Sequence, residues 1–224
     1  MTFSLVGRCA RTGMLGVAVT SSSPAVAARC AWARARVGAV STQNVTDPAL
    51  GPQVLDLIES GHSSADALDE VMTRAPHAAY RQLAVIDAQG QTASYSGART
   101  LGRHGSSNAV DSLAAGNLLA SKRVTVAMVQ AFEQRPHDHL ADRLLDALRA
   151  GQQAGGEEGP VHSCGLLVVD KVSWPVTDLR VDWHDDPITE LARLWTMWRP
   201  QEADYIQRAL DPTSAPRYGV PGDE

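Results

Sequence analysis

The stretch MTFSLVGRCARTGMLGVAV (residues 1–19) decides the fold, because its ordered pattern begins at the second residue. Thr2–Arg8 and Met14–Thr20 are short apolar runs joined by CARTG, where Gly13 supplies a turn, and together they predict a β-hairpin. Most chains leave a few loose residues before their first strand. A small residue at position two also favours removal of Met1, which would leave a threonine with its hydroxyl and its free α-amine on one residue. That combination is a potential nucleophile and base.

Working outward, SSSPAVAARCAWARA (21–35) predicts a cap followed by a short helix, and the arginines of ARCAWARARVG (28–38) predict a solvated helix face rather than a phosphate-binding patch. VGAVSTQ (37–43) predicts the third strand. GPQVLDLIESG (51–61) and SSADALDEVMTRA (63–75) predict two helices, the first burying Val54, Leu55 and Ile58. The second has Ser64 as its expected cap and Ala67, Leu68 and Val71 inward. QLAVIDAQG (82–90) and QTASYSG (91–97) are the fourth and fifth strands, and a glycine- and serine-rich loop follows them. KRVTVAMVQAFEQR (122–135) and HDHLADRLLDALRAGQQAG (137–155) predict a second helical pair, and GGEEGP (155–160) is a polar breaker. HSCGLLVVDKVSW (162–174) and DLRVDWHDD (178–186) carry the last strands, before the aromatic-rich helix PITELARLWTMW (187–198). The expected layout is one α+β domain over residues 1–200, with two sheets covered by two helical layers, and a partly flexible extension over 201–224, loose from Pro212 onward.

The 224 residues, 44% hydrophobic and 20% charged with a net charge of -5, fit one cored domain that binds neither nucleic acid nor membrane. No apolar run approaches the ~20 residues of a membrane span. Cys9, Cys30 and Cys164 are odd in number and widely spaced, which predicts free thiols and a cytoplasmic address. His137, Asp138 and His139 lack a third ligand at a persuasive spacing, so no metal and no cofactor is expected. His162 and Cys164 lie two apart in a strand and permit a Cys-His pair without indicating one.

Several separate stretches, in order, resemble the DUF1028 family, which is assigned to the N-terminal nucleophile (Ntn) hydrolase superfamily. They are TFSLVGRCARTGMLGVAVTSS (2–22), VGAVSTQNVTDPALGPQVLDLIESG (37–61), AVIDAQG (84–90), AAGNLLA (114–120) and DLRVDWHDDPITEL (178–191). The resemblance implies a four-layer αββα sandwich whose first strand carries the nucleophile at the mature terminus, and amide-bond hydrolysis as the activity. Thr2 would then attack while its own amine, with a reference pKa of about 8, takes the hydroxyl proton. Ser4 shares a strand face with Thr2 and is a second candidate in the site.

Thr20, Ser21, Ser22 and Ser23 end the second strand and are candidates to orient the amine and a water, or to cap the next helix. Relatives carry a lysine in this stretch where this chain has Ser22 or Ser23. Gln43 and Asn44 are candidate oxyanion or substrate-amide donors, with a local turn as the alternative for Asn44. His104 lies in the flexible loop, and Asn117 in a stretch that resembles the family. Asp178, Arg180 and Asp182 alternate on one face, as an ion pair at a sheet edge or with Arg180 as a clamp for an acidic substrate. The expected function is hydrolysis of a small amide or amide-like bond, or transfer to a second amine, by a homodimer. The alternatives are a non-catalytic metabolite-binding or scaffold protein of the same fold, and a thiol enzyme using Cys164 or Cys30.

Overall fold

A computed structural model describes residues 2–222. The predicted hairpin is present, with β1 (Thr2–Arg8) pairing antiparallel to β2 (Leu15–Ser21) in the register Thr2 to Ser21. Both strands lie inside a six-stranded sheet. Its order is β10-β9-β2-β1-β8-β7, with β7 at Gly105–Ala109, β8 at Ser112–Asn117, β9 at Ser163–Val169 and β10 at Thr177–Val181. A four-stranded sheet runs β3-β4-β5-β6, formed by Ala31–Arg34, Gly38–Asn44, Arg81–Asp87 and Thr92–Ser96. Neighbouring strands in both sheets are antiparallel.

Strand alternation sorts β1 between two environments. Phe3 and Leu5 point into a core shared with α4 (Arg123–Gln134) and α5 (Leu140–Gln153). Val6 points the other way, into a cluster with Leu15 and Val17 of β2, Ala39 of β4, Ile86 of β5 and Leu113 of β8. The two sheets therefore face one another through that cluster. The outer face of the four-stranded sheet is covered by α2 (Leu50–Glu59) and α3 (Ser64–Arg74), which bury Val54, Leu55, Ile58, Ala67, Leu68 and Val71 as predicted. The cap of α3 is Ser63 rather than Ser64, its hydroxyl accepting from Asp66 N at 3.1 Å.

Two segments depart from the sequence expectation. The helix predicted over 21–35 is confined to α1 (Ala27–Cys30), and the chain then turns into β3. Alanine favours helix, but period-2 burial prevails here. Ala31 and Ala33 face the inter-sheet cluster, Trp32 packs toward α2, and Arg34 pairs with Asp56 and Glu59. The second departure is the glycine- and serine-rich loop expected ahead of the helix at 122–135, which contains β7 and β8. Val110 and Asp111 turn this hairpin, Asp111 at φ 56 accepting an ion pair from Arg8 at 2.7 Å. Its small and polar residues gave no β signal.

At the C-terminus, α6 (Pro187–Trp198) starts on the Asp186 cap, and α7 (Glu202–Leu210) orders the first part of the extension. Glu202 is buried, accepts from the Thr177 hydroxyl and lies 3.2 Å from His139 Nε2, which ties α7 to β10 and α5. Among the described residues no helix is long and apolar enough to cross a membrane.

Gly51 of α2 tests the placement of β3. A Cβ there would stand 2.2 Å from Trp32 Cδ1. Gly51→Ala is expected to lower stability by about 1–3 kcal/mol. In a Trp32→Ala background the same change should stabilise by up to about 1 kcal/mol, the ordinary helix preference. Urea unfolding of the four proteins reads the sign, and stabilisation in both backgrounds would contradict this packing.

Candidate active site

The space between the sheets changes character along its length. Beyond the apolar cluster, the ends of β1, β2, β4, β5 and β8 contribute Thr2, Ser4, Ser21, Gln43, Gln82 and Asn117, all buried. Polar groups so placed must be paired, and Gln82 does most of the pairing. Its Nε2 donates to Gly116 O at 3.0 Å and to Ser96 Oγ at 3.1 Å. A backbone carbonyl only accepts, so this contact fixes which way the Gln82 amide faces. Gln82 Oε1 then accepts from Gln43 Nε2 at 2.9 Å and from Asn117 Nδ2 at 3.1 Å. Gln43 Oε1 in turn accepts from Ser4 Oγ at 2.8 Å and Ser41 Oγ at 3.2 Å.

The orientation has a chemical consequence. The amide nitrogens of Gln43 and Asn117 each give one of their two N–H bonds to Gln82 Oε1 and keep a second donor. Asn117 turns its Oδ1 outward from the network, and that atom has no hydrogen-bond partner among the described residues.

A hydroxyl chain leaves Thr2 on its other side. Thr2 Oγ1 donates to Ser21 Oγ at 3.3 Å, Ser23 N also donates to Ser21 Oγ at 3.1 Å, and the Ser21 and Ser23 hydroxyl oxygens are 2.9 Å apart. Arg29 donates to Ser23 Oγ at 2.8 Å and to the carbonyls of Pro24 and Ala25. Ser21 Oγ accepts from Thr2 Oγ1 and Ser23 N, and the chain of hydroxyls runs Thr2, Ser21, Ser23 with the Arg29 guanidinium at its far end. A cation at that end favours negative charge along the hydroxyls. Arg29 thus stands behind Ser23, a placement that the helix-face reading of 28–38 concealed.

Glu157 is the second residue that sequence reasoning missed. It is only 4% exposed, its Oε2 accepts from Ser22 N at 3.3 Å, and its Oε1 has no partner among the described residues. Burial raises its pKa to about 7 against the opposing effect of the Ser22 hydrogen bond. GGEEGP reads as a surface breaker because nothing local shows that Leu119 bridges to Glu157. The backbone supplies a further sign. Ala25, Asn44 and Leu118, at or just beyond the polar ends of β2, β4 and β8, have positive φ of 52°, 72° and 50°. Such strain gathers at functional sites.

The family model described as "Family of unknown function (DUF1028)" matches residues 2–191. The chain belongs to the DUF1028 family. The crystal structure of a DUF1028 protein from Silicibacter pomeroyi is similar, at 29% identity and a TM-score of 0.84 over 92% of this chain and 90% of that one. Anbu (ancestral beta-subunit) from Yersinia bercovieri aligns at 10% identity over 92% of this chain and 97% of that one, with a TM-score of 0.39. Anbu from Hyphomicrobium sp. strain MC1 aligns at 11% identity over 97% of this chain and 100% of that one, with a TM-score of 0.42. No curated protein matches the chain.

In this DUF1028 chain Thr2, Ser4, Ser21, Gln43 and Asn117 come together, with Ser23 as the relay's next member and Ser22 contributing its backbone N–H to Glu157. Thr20, next to Ser21, faces the helical side, and its hydroxyl is spent on Ser163 O at 2.9 Å. Asn44 is also turned away, donating to Tyr80 O and accepting from Leu101 N at 3.2 Å. His104 lines a separate 290 Å³ cavity with Leu119 and Thr125, in contact with Gly102 O rather than with the Thr2 cluster. Arg180 is held by Asp178 through two bonds of 2.9 Å on edge strand β10, as the ion-pair reading had it, and not as a substrate clamp at Thr2.

The three thiols, all buried, sit in different environments. Burial pushes Cys30 up, and burial with the Asp186 charge pushes Cys164 up, its thiol donating to Pro187 O at 3.0 Å. His162 stacks on Trp183 instead of meeting Cys164. Burial also raises Cys9, but hydrogen bonds from Thr12 and Arg11 and the Arg143 charge outweigh it and leave that thiol lowered.

Gln82→Leu strands two amide groups and the Gly116 carbonyl and is expected to cost about 3 kcal/mol. Gln82→Glu keeps the acceptor that Gln43 and Asn117 use, and its protonated carboxyl can still donate to Gly116 O, so it is expected to cost less than Gln82→Leu at pH 4; at pH 8 a buried carboxylate would face that carbonyl. Denaturant unfolding compares the two at pH 4, and equal losses would show that the direction of this network does not matter.

Proposed function

We propose that this DUF1028 protein is an amidohydrolase of the N-terminal nucleophile type, folded as the four-layer αββα sandwich of that superfamily. The observation that carries the reading is the Thr2 hydroxyl, which opens the first strand on the inter-sheet face and donates into a relay backed by Arg29. The helices on the outer faces of two facing sheets support the fold assignment.

In this reading loss of Met1 frees the Thr2 amine. The Thr2 oxygen attacks the carbonyl carbon of a small amide, and the hydroxyl proton passes to the amine and then to the departing nitrogen. The acyl-enzyme ester is then cleaved by water, whose proton passes through the same amine to the departing Thr2 oxygen. A second amine in place of that water would give transfer. Once the Thr2 proton has gone to the amine, the Ser21 hydroxyl turned back toward the Thr2 oxygen would stabilise the charge developing there, with Ser23 and Arg29 behind it.

Intact-mass spectrometry of the purified protein, before and after a β-lactone, tests the reading. The expected result is a chain lacking Met1 and carrying one adduct that maps to Thr2. Thr2→Ser should keep the adduct and Thr2→Ala should lose it. A purified chain that retains Met1 would sink the mechanism. Arg29→Met should slow adduct formation, by less than the roughly 10²–10³-fold that loss of a donor in direct contact costs.

A further inference from the structure

Residues 157 and 158 cross the end of the slot that β1 occupies. On one side Ser22, next after the cross-strand partner of Thr2, donates its N–H to Glu157 Oε2 at 3.3 Å. On the other side Leu118, next after Asn117, accepts from Glu158 N at 3.0 Å, and Leu119 bridges to Glu157. Thr2 enters the strand at this crossing, between its cross-strand partners Ser21 and Asn117. Two buried acceptors without hydrogen-bond partners among the described residues belong to the residues that border this end of β1, Glu157 Oε1 and Asn117 Oδ1. Neither is part of the hydroxyl relay.

We infer that Glu157 and Asn117 form the seat of the Thr2 α-amine, with Glu157 as the positioning residue that accepts from it and turns its lone pair toward the Thr2 hydroxyl. An ammonium or amine offers up to three donors, and two vacant acceptors beside it suit that group better than a carbonyl or a carboxylate. The charged side chains around the crossing are otherwise engaged. Arg103 donates to the carbonyls of Leu119 and Ala120 and lies 3.6 Å from Glu158 Oε1. Arg29 serves Ser23 and two carbonyls. His162 stacks on Trp183, with Asp185 4.0 Å from its Nδ1. None of the three hydrogen-bonds to Glu157 among the described residues, so the terminal amine is the cation left for that carboxyl.

The inference rests on the proposed function only in taking Thr2 as the mature terminus, and it is testable without turnover. A chain released from a fusion so that it begins at Thr2 has three amines, those of Thr2, Lys122 and Lys171. Reductive methylation with ¹³C-formaldehyde therefore gives few NMR signals to follow against pH. The Thr2 amine is expected to titrate at least about one pH unit higher in the wild type than in Glu157→Gln, the usual effect of an opposite charge at close range. Glu158→Gln should leave the curve where it was. The wild-type Thr2 signal should also show a second, lower inflection from Glu157. Coincident wild-type and Glu157→Gln curves would overturn the seat. Should Glu157→Gln fail to fold, the absence of the second inflection in the wild type would overturn it. If the amine shift holds but a β-lactone leaves Thr2 untouched, the hydrolase reading fails while the seat stands.

Discussion

A single contact, Gln82 Nε2 to the carbonyl of Gly116, orients the polar half of the molecule. It joins the four-stranded sheet to the six-stranded one and settles which end of each carboxamide faces which neighbour. From it follow the two bonds accepted by Gln82 Oε1, the acceptance of Ser4 and Ser41 by Gln43, and the outward oxygen of Asn117. Amide groups buried without such direction would each cost about 1–3 kcal/mol. Their arrangement is therefore part of the fold as well as part of the site.

The same constraint explains why the site lies at one end of the inter-sheet space. Val6, Val17, Ile86 and Leu113 fill one end with apolar packing that needs no orientation, and those residues hold the sheets together. The other end is polar, and its groups are held by hydrogen bonds within and between the sheets. β1 runs from one regime into the other within five residues, from Val6 back to Thr2. Its side chains at positions 3 and 5 remain locked against α4 and α5 throughout. A nucleophile on such a strand is fixed by packing behind it and by hydrogen bonds in front.

Much of this was legible in the sequence where a pattern was local. The opening hairpin, the two helical pairs and the edge strand around Arg180 follow from periodicity and turn residues. The resemblance to the family picked out Thr2 and Asn117, and alternation put Ser4 on the face of Thr2. What stayed hidden depends on distant partners. β3 is a strand because Trp32 meets Gly51 and Arg34 meets α2, and β7 and β8 are built from residues that favour strands only when a neighbour is supplied. Arg29 and Glu157 resemble surface charges until the chain brings them to Ser23 and Ser22. Asn44 and Thr20 show the reverse error, since one residue of register separates each from a residue of the site.

The position of β1 also bears on how the chain is made. The first of the described strands is an interior strand of the sheet, and its two neighbours arrive at different times. β2 follows within 21 residues, but β8 ends at Asn117, so half of the slot around Thr2 stays open until more than a hundred residues have emerged. Contacts of such long sequence separation form late. An enzyme that trimmed the terminus would meet an accessible end during that interval and a sheet interior after it. In the proposed reading, removal of Met1 would thus be a race between an aminopeptidase and the arrival of β8.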